Sequence, residues 1–352
     1  MKLIFSLALL CSLPASGQWE KIDVPTQASL RGLSVVSKDV VWASGTEGTV
    51  IRSVDSGKHW SVITVPGAEK LDFRGIRAFD GNTAVIISSG PAEKGQARIY
   101  RTTDSGKTWK QVFEEKRAGI FFDAVAFWDR KHGIVLSDPV EGRFVLFTTD
   151  DGGVTWRQVA PSVLPPALPN EGAFAASNSC LVVHGDRNVW FATGGAQAAR
   201  VFRSTNRGRT WAVTDTPMHP ANASSGIFSL AFEDVSFGVA VGGDYKNPGN
   251  SELPNLLITS NGGKTWRIGK PKNHPGFYLS SVIILPHPLR SFRPVIAAGT
   301  TGLFFASLID DQSWTRQSQE NLNAVADISS GTWAVGPKGT VLHLGPGIVI
   351  DF

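Results

Sequence analysis

An all-β ring of seven four-stranded antiparallel units, a seven-bladed β-propeller, is the fold this sequence predicts, and three observations predict it. The first is an octapeptide of the form Ser/Thr-x-Asp/Asn-x-Gly-x-x-Trp, which occurs at 53–60, 102–109, 149–156, 204–211 and 259–266. A worn copy ends at Trp314, with Ile309 and Asp311 in the places of Asp and Gly. The six tryptophans are 49, 47, 55, 55 and 48 residues apart, a period that signals a stacked or circular array. The second is an upstream repeat of a short apolar strand, a glycine turn and a further strand. Residues 41–50 match 332–341, with further copies at 295–302 and 189–194. Together the two repeats make four strands per unit. The third observation lies in the termini: Trp19 sits in a lone strand with no unit before it, and 321–344 supply three strands with no final Trp strand. The N-terminal strand therefore completes the last blade and closes the ring, which removes the exposed edges of an open array.

The turn has a local mechanism. Asp or Asn bonds its own backbone two residues on, and Gly supplies positive φ, so each octapeptide forms a hairpin loop whose Trp opens the next strand and packs inward. The residues assigned this structural role are Asp55, Gly57 and Trp60; Asp104, Gly106 and Trp109; Asp151, Gly153 and Trp156; Asn206, Gly208 and Trp211; and Asn261, Gly263 and Trp266.

In chain order, Met1-Lys2, an apolar run to Leu13 and the small residues of Pro14-Ala15-Ser16-Gly17 form a secretory signal peptide, cut before Gln18. Leu10 before Cys11 argues against a lipoprotein cysteine. Residues 18–352 then form a single domain, secreted or periplasmic, expected to be monomeric, with no other run long enough to span a membrane. Cys180 is the one cysteine left, so no intramolecular disulfide is available. The blades are placed at 29–65, 71–113, 119–159, 171–214, 224–268 and 276–317, with 321–344 joined to the strand at Trp19. Residues 161–169 are a proline-stiffened crossing, and 245–254 are a long polar insertion of the kind that carries binding.

The 34 basic and 30 acidic residues are scattered, so no basic stripe points to nucleic acid. No HExxH, paired-cysteine zinc pattern or GxSxG elbow is present, and Gly263-Lys264-Thr265 lacks the first P-loop glycine, with Ile258 in its place. Neither a cofactor nor a metal is expected. Polar residues that begin inner strands converge on the axial channel: Arg31, Arg74, Asp123, Glu171, Ser225 and Tyr278, with Asp138 and Asp244 on neighbouring loops. Two arginines among carboxylates and a tyrosine suit an anionic or sugar-like ligand.

The octapeptides and blade pattern resemble the Asp-box (BNR-repeat) β-propellers, a group that includes sialidases, sortilin-type receptors and photosystem II stability/assembly factor-like exported propellers. The resemblance covers nearly the whole mature chain and implies that the Asp-box is a peripheral structural turn. It is nearest to the assembly factor-like members. This implies a non-catalytic propeller that contacts a protein or anionic ligand through its central face and long loops. The sialidase resemblance implies the alternative, a glycoside hydrolase acting on a glycan, with Arg31, Arg74, Tyr278 and Asp123 in the catalytic parts. Against it, Phe73-Arg74-Gly75-Ile76 departs from that family's Phe-Arg-Ile-Pro signature, no third arginine is placed, and sialidases usually have six blades.

Overall fold

A computed structural model describes residues 19–345 apart from 221, 251, 270–276, 288–292, 309–313 and 329–330. The signal segment, the first residue assigned to blade six and most of the worn octapeptide lie outside the described residues. The chain forms seven four-stranded antiparallel sheets, each ordered from an inner to an outer strand. Blade one is Leu30–Val35, Val41–Gly45, Thr49–Ser53 and Ser61–Thr64, and blade two is Phe73–Ala78, Ala84–Ser88, Ala97–Thr102 and Lys110–Glu115. Blade three is Phe122–Phe127, Gly133–Val140, Arg143–Thr149 and Arg157–Gln158, and blade four is Leu181–His184, Asn188–Ala192, Arg200–Ser204 and Ala212–Asp215. Blade five is Ser225–Phe232, Gly238–Asp244, Leu256–Thr259 and Arg267–Ile268, and blade six is Ser281–Ile284, Pro294–Gly299, Gly302–Ser307 and Thr315–Ser318. Blade seven joins Ala324–Ile328, Gly331–Val335 and Val341–Leu344 to Glu20–Ile22, which pairs Glu20 with His343 and Ile22 with Val341.

Burial explains the composition of each position. Second strands such as Val41–Gly45 and Ala84–Ser88 are buried throughout, because both sheet faces meet a neighbouring blade. Outer strands such as Ser61–Thr64 are mostly exposed. The apolar side chains gather into seven main clusters, one at each blade–blade interface.

The five octapeptides share one turn. The Ser or Thr hydroxyl accepts from the Gly N–H, as in Ser53 to Gly57 (2.9 Å) and Thr102 to Gly106 (3.0 Å). The Asp or Asn carboxyl or amide oxygen accepts from the backbone four residues on, as in Asp104 from Thr108 (2.9 Å) and Asn206 from Thr210 (3.0 Å). The Gly of each copy has φ between 77° and 83°. The tryptophans pack edge-on against aromatic rings, Trp60 on Trp333 (5.7 Å) and Trp156 on Phe127 (5.8 Å).

Blade four begins later than the sequence spacing indicates. Its inner strand is Leu181–His184, whereas residues 173–180 form a plug at the axis of the ring, bonded to inner strands of several blades. Small side chains let this stretch fit there. Asn178, at φ 65°, accepts from the Val125 N–H (2.8 Å) and donates to the carbonyls of Val125 (3.1 Å) and Ile76 (3.5 Å). Gly75 leaves it room, since a Cβ there would lie 2.5 Å from the Asn178 side-chain oxygen. Ser177 donates to the Ser280 carbonyl (2.7 Å), and Ser179 bonds the Ser229 hydroxyl (2.7 Å). One segment of blade four thus ties down the inner strands of blades two, three and five and the start of blade six.

Asn178→Ala leaves the Val125 N–H and carbonyl without their partner and puts a Cβ-bearing residue without a turn-forming side chain at positive φ. Each effect costs about 1–2 kcal/mol. Denaturant unfolding is expected to show a loss of about 2–4 kcal/mol, and Asn178→Gly, which relieves the φ strain, a smaller one. Equal stability of the wild type and Asn178→Ala would show that the plug does not brace the ring.

Candidate functional site

Four inner strands carry a one-residue β-bulge at the same place. The pairing skips from Leu30 to Gly32, Phe73 to Gly75, Phe122 to Ala124 and Ile227 to Ser229. The skipped residues are Arg31, Arg74, Asp123 and Phe228. A bulge leaves its extra residue outside the ladder and re-aims its side chain. These bulges lie at the chain entry of the inner strands, the end opposite the octapeptide turns.

The two arginines reach the plug. Arg31 donates to the Ala176 carbonyl (3.5 Å) and Arg74 to the Ala175 carbonyl (3.4 Å), while Arg74 pairs with Asp72 (2.7 Å). Burial pulls the Arg31 pKa down, with Arg74 adding to it and Asp72 and Tyr278 opposing. Asp123 is 1% exposed, and burial, reinforced by Asp138, pushes its pKa well up against the pull of Arg74. Asp138 accepts from the Ala173 N–H (2.9 Å); burial raises its pKa to about 6 although that bond opposes the shift. Tyr278 is buried beside Phe228 (4.8 Å), and burial raises its pKa too. Arg31 Nε, Asp72 Oδ1 and Asp123 Oδ2 make no hydrogen bond within the described residues.

The other sequence candidates lie elsewhere or are already engaged. Glu171 precedes the plug and forms a buried pair with Arg200 (Nε–Oε1 2.9 Å), and it also accepts from Thr193 (2.6 Å) and the Leu168 N–H (2.8 Å). Ser225 donates to the Asn222 carbonyl (3.0 Å). Asp244 accepts from Asn222 (2.8 Å) and Ser224 (2.6 Å), and these bonds, with two backbone N–H groups, outweigh burial and lower its pKa. Both hold the 222–247 loops together. Among the described residues no group of His, Cys, Asp and Glu is arranged to hold a metal ion, and no helix is long and apolar enough to cross a membrane.

A second cationic surface escapes the sequence reading. Two clefts, about 380 and 360 Å³, flank the octapeptide turn of blade four. Arg207 and Arg209 line both, with Arg157 and His132 on one side and Arg187 on the other. Arg157 pairs with Asp150 (2.8 Å) and Arg207 contacts Asp129 (3.5 Å), whereas the exposed Arg187 and Arg209 form no ion pair among the described residues. The available signal was local density, since Arg187, Arg200, Arg203, Arg207 and Arg209 fall within one blade of a chain with a net charge of only +4.

The chain is similar to known proteins in sequence and in fold. A family profile described as photosynthesis system II assembly factor YCF48 matches residues 12–119. The photosystem II assembly protein Ycf48 of Synechococcus sp. (strain JA-2-3B'a(2-13)) is 24% identical over 292 residues, covering 72% of this chain and 79% of that protein. The solved structure of YCF48 bound to D1 peptide superposes with a TM-score of 0.62 at 15% identity, covering 93% of this chain and 96% of that one. The xyloglucanase Xgh74A of Acetivibrio thermocellus is 26% identical over 254 residues, 62% of this chain but 28% of the enzyme. The chain is a seven-bladed β-propeller that is similar in part of its sequence, and in fold, to the photosystem II assembly proteins.

The raised Asp138 pKa has a sign that can be checked. Its folded value, about 6, lies above the ordinary 3.8, so folding favours the protonated acid. That contribution is complete below about pH 4 and is lost as pH rises through about 6. Asp138→Asn, which keeps an acceptor for Ala173 and cannot ionise, is expected to raise Tm above pH 6 and to leave it unchanged below pH 4. A gain in Tm that is the same across this range would refute the shift.

Proposed function

We propose that the chain is an exported, non-catalytic propeller that, like the assembly factors it resembles, holds a segment of a protein partner, and that it reads an anionic stretch of that partner. The observation that carries this reading is the open arginine surface of blade four. Arg187 and Arg209 are exposed and unpaired among the described residues, beside Arg207 in the two clefts. Guanidinium groups suit carboxylate-bearing partners because their planar fork bonds two oxygens at once. Arg207 has the left-handed backbone common to these turns, with φ of 60° beside 62° at Ser56 and 69° at Ser105, and where those turns carry serine it brings a third guanidinium to the clefts. Two further observations support the protein-binding part: the similarity to Ycf48 and the fold shared with a YCF48 bound to D1 peptide. Export rests on the composition of residues 1–17, and a monomer is the working state in this reading.

The alternative, a glycoside hydrolase, draws on the xyloglucanase similarity and on the raised pKa of Asp138, as an acid catalyst requires. Burial weighs against it. Asp123 is 1% exposed and Tyr278 6%, so a glycan meets neither while the plug is in place.

Arg187→Ala combined with Arg209→Ala is expected to weaken binding of a labelled glutamate-rich peptide about tenfold at low salt, with the difference shrinking at high salt. Fluorescence anisotropy with residues 18–352 checks it. In the host, a photo-crosslinking residue at Thr205 is expected to yield a discrete protein adduct that the double substitution abolishes, with none from a probe at Lys110. Equal adducts from both positions would reject the blade-four surface. Hydrolysis of xyloglucan or of fluorogenic glycosides, lost in Asp138→Asn, would replace the binding reading with the enzymatic one.

A further inference from the structure

We infer that the mouth of the axial channel is a second binding site, for a short peptide segment carrying an aromatic side chain, and that residues 173–176 of the chain itself occupy it. This goes beyond the blade-four reading, since the site lies at the opposite end of the inner strands and uses other residues.

The plug is held unevenly along its length. On one side the anchor is Glu171 in its pair with Arg200, together with Gly172 and Gly194, which exchange backbone bonds of 3.1 and 3.0 Å. On the other side are Ser177, Asn178 and Ser179, with bonds of 2.7, 2.8 and 2.7 Å to three different blades. The four residues between touch their surroundings through backbone groups and one ring, with the Ala176 N–H turned back onto the Phe174 carbonyl (2.9 Å). The Ala173 N–H donates to Asp138 (2.9 Å), and the Ala175 and Ala176 carbonyls accept from Arg74 and Arg31 at 3.4 and 3.5 Å, the long limit of a hydrogen bond. Phe174 enters an aromatic slot, stacked on Phe228 at 3.9 Å and 14°, with Tyr245 edge-on at 6.5 Å and Tyr278 closing the far side of Phe228. Tyr245 is 46% exposed, so the slot opens to solvent at its rim.

The receptor side also has unused capacity. Arg31 Nε is a buried donor without an acceptor, and Asp72 Oδ1 is a buried acceptor without a donor, both at this mouth. Buried polar groups are ordinarily satisfied, so the alanine backbone of 173–176 is an imperfect occupant. Its withdrawal takes three small alanine side chains and one ring out of the mouth. A partner segment of the form small–aromatic–small, with an acidic or amide side chain beside the ring, would keep the same backbone contacts and also satisfy Arg31.

The probe for the test is a labelled synthetic peptide of residues 171–178 (Glu-Gly-Ala-Phe-Ala-Ala-Ser-Asn), titrated into the mature chain. Phe174→Ala vacates the slot and removes the internal competitor, so the variant is expected to bind the probe at least about tenfold more tightly than the wild type. A probe with Ala in place of Phe is expected to lose that gain, and so is the variant when Arg31→Ala is added. A folded Phe174→Ala variant, with unchanged circular dichroism and a cooperative melt, that binds both probes alike would overturn the proposal. If that variant does not fold, amide hydrogen exchange in the wild type decides. Ala173 and Ala176 are expected to exchange at least about tenfold faster than Asn178 and Cys180, and equal protection would overturn the proposal. Loss of glutamate-rich peptide binding in the Arg187/Arg209 variant leaves these outcomes untouched, so the two sites fail or stand separately.

Discussion

Ring closure is the constraint on which the rest of this molecule depends. Seven sheets with apolar faces on both sides have no stable open arrangement, because the first and last would each expose a face and an edge. The chain solves this by pairing Glu20–Ile22 with Val341–Leu344 within blade seven. Blade seven is then fastened to blade one by backbone bonds from Leu30 to Gly336 and from Gly339 to Ala28, and by the Asn323 amide on the Leu30 carbonyl (2.8 Å). The interface cluster of Leu30, Val41, Ile51, Trp333 and Val335 exists only when those two blades meet. So does the axial channel, whose lining comes from inner strands far apart in sequence.

A closed ring leaves a channel along its axis, and this chain fills it with its own residues 173–180. The consequence is electrostatic. Arg31, Arg74, Asp72, Asp123 and Asp138 would be solvated in an open channel. Under the plug, burial pushes Asp123 and Asp138 toward the neutral acid and disfavours the Arg31 charge. The bulges that aim these side chains inward and the plug that covers them are therefore two parts of one arrangement.

The blades were legible in the sequence because their signals are local. An octapeptide whose Asp, Gly and Trp each perform one task within eight residues can be read without knowing the fold, and period-2 strands flank it. The incomplete ends allowed the closure to be inferred from what each lacked. The plug was not legible for the opposite reason. Its contacts span 53 residues to Val125, 102 to Ile76 and 145 to Arg31, and a run of Ala and Ser has no periodicity to betray an axial course. It was therefore counted into blade four, and Glu171 was placed at the start of an inner strand, whereas it is the acid of a buried pair with Arg200. Arg31, Arg74 and Asp123 were recognisable as equivalent strand starts, but the bulges that aim them depend on pairing register, which residue type does not reveal.

The repeated turn explains how one scaffold can carry a binding surface without endangering its fold. Three of its positions are committed: the hydroxyl that accepts from glycine, the carboxyl or amide that caps the turn, and the glycine at φ near 80°. The side chains on either side of that glycine take no part in those bonds. In three of the other turns the residue after the glycine is Lys58, Lys107 or Lys264, a solvated cation on a flexible stem. Blade four instead places Arg207 and Arg209 there, and the Arg207 Nε is tied to the Asp186 carbonyl at 2.6 Å. A lysine would leave a mobile point charge, whereas this arginine is held with part of its fork facing the clefts. The left-handed backbone belongs to the turn itself, since Ser56 (φ 62°) and Ser105 (φ 69°) share it with Arg207, as do Gly152 and Gly262. Side chains alone set blade four apart, with an arginine on each side of the glycine, which is why this surface, among five turns of the same geometry, is the one assigned a partner.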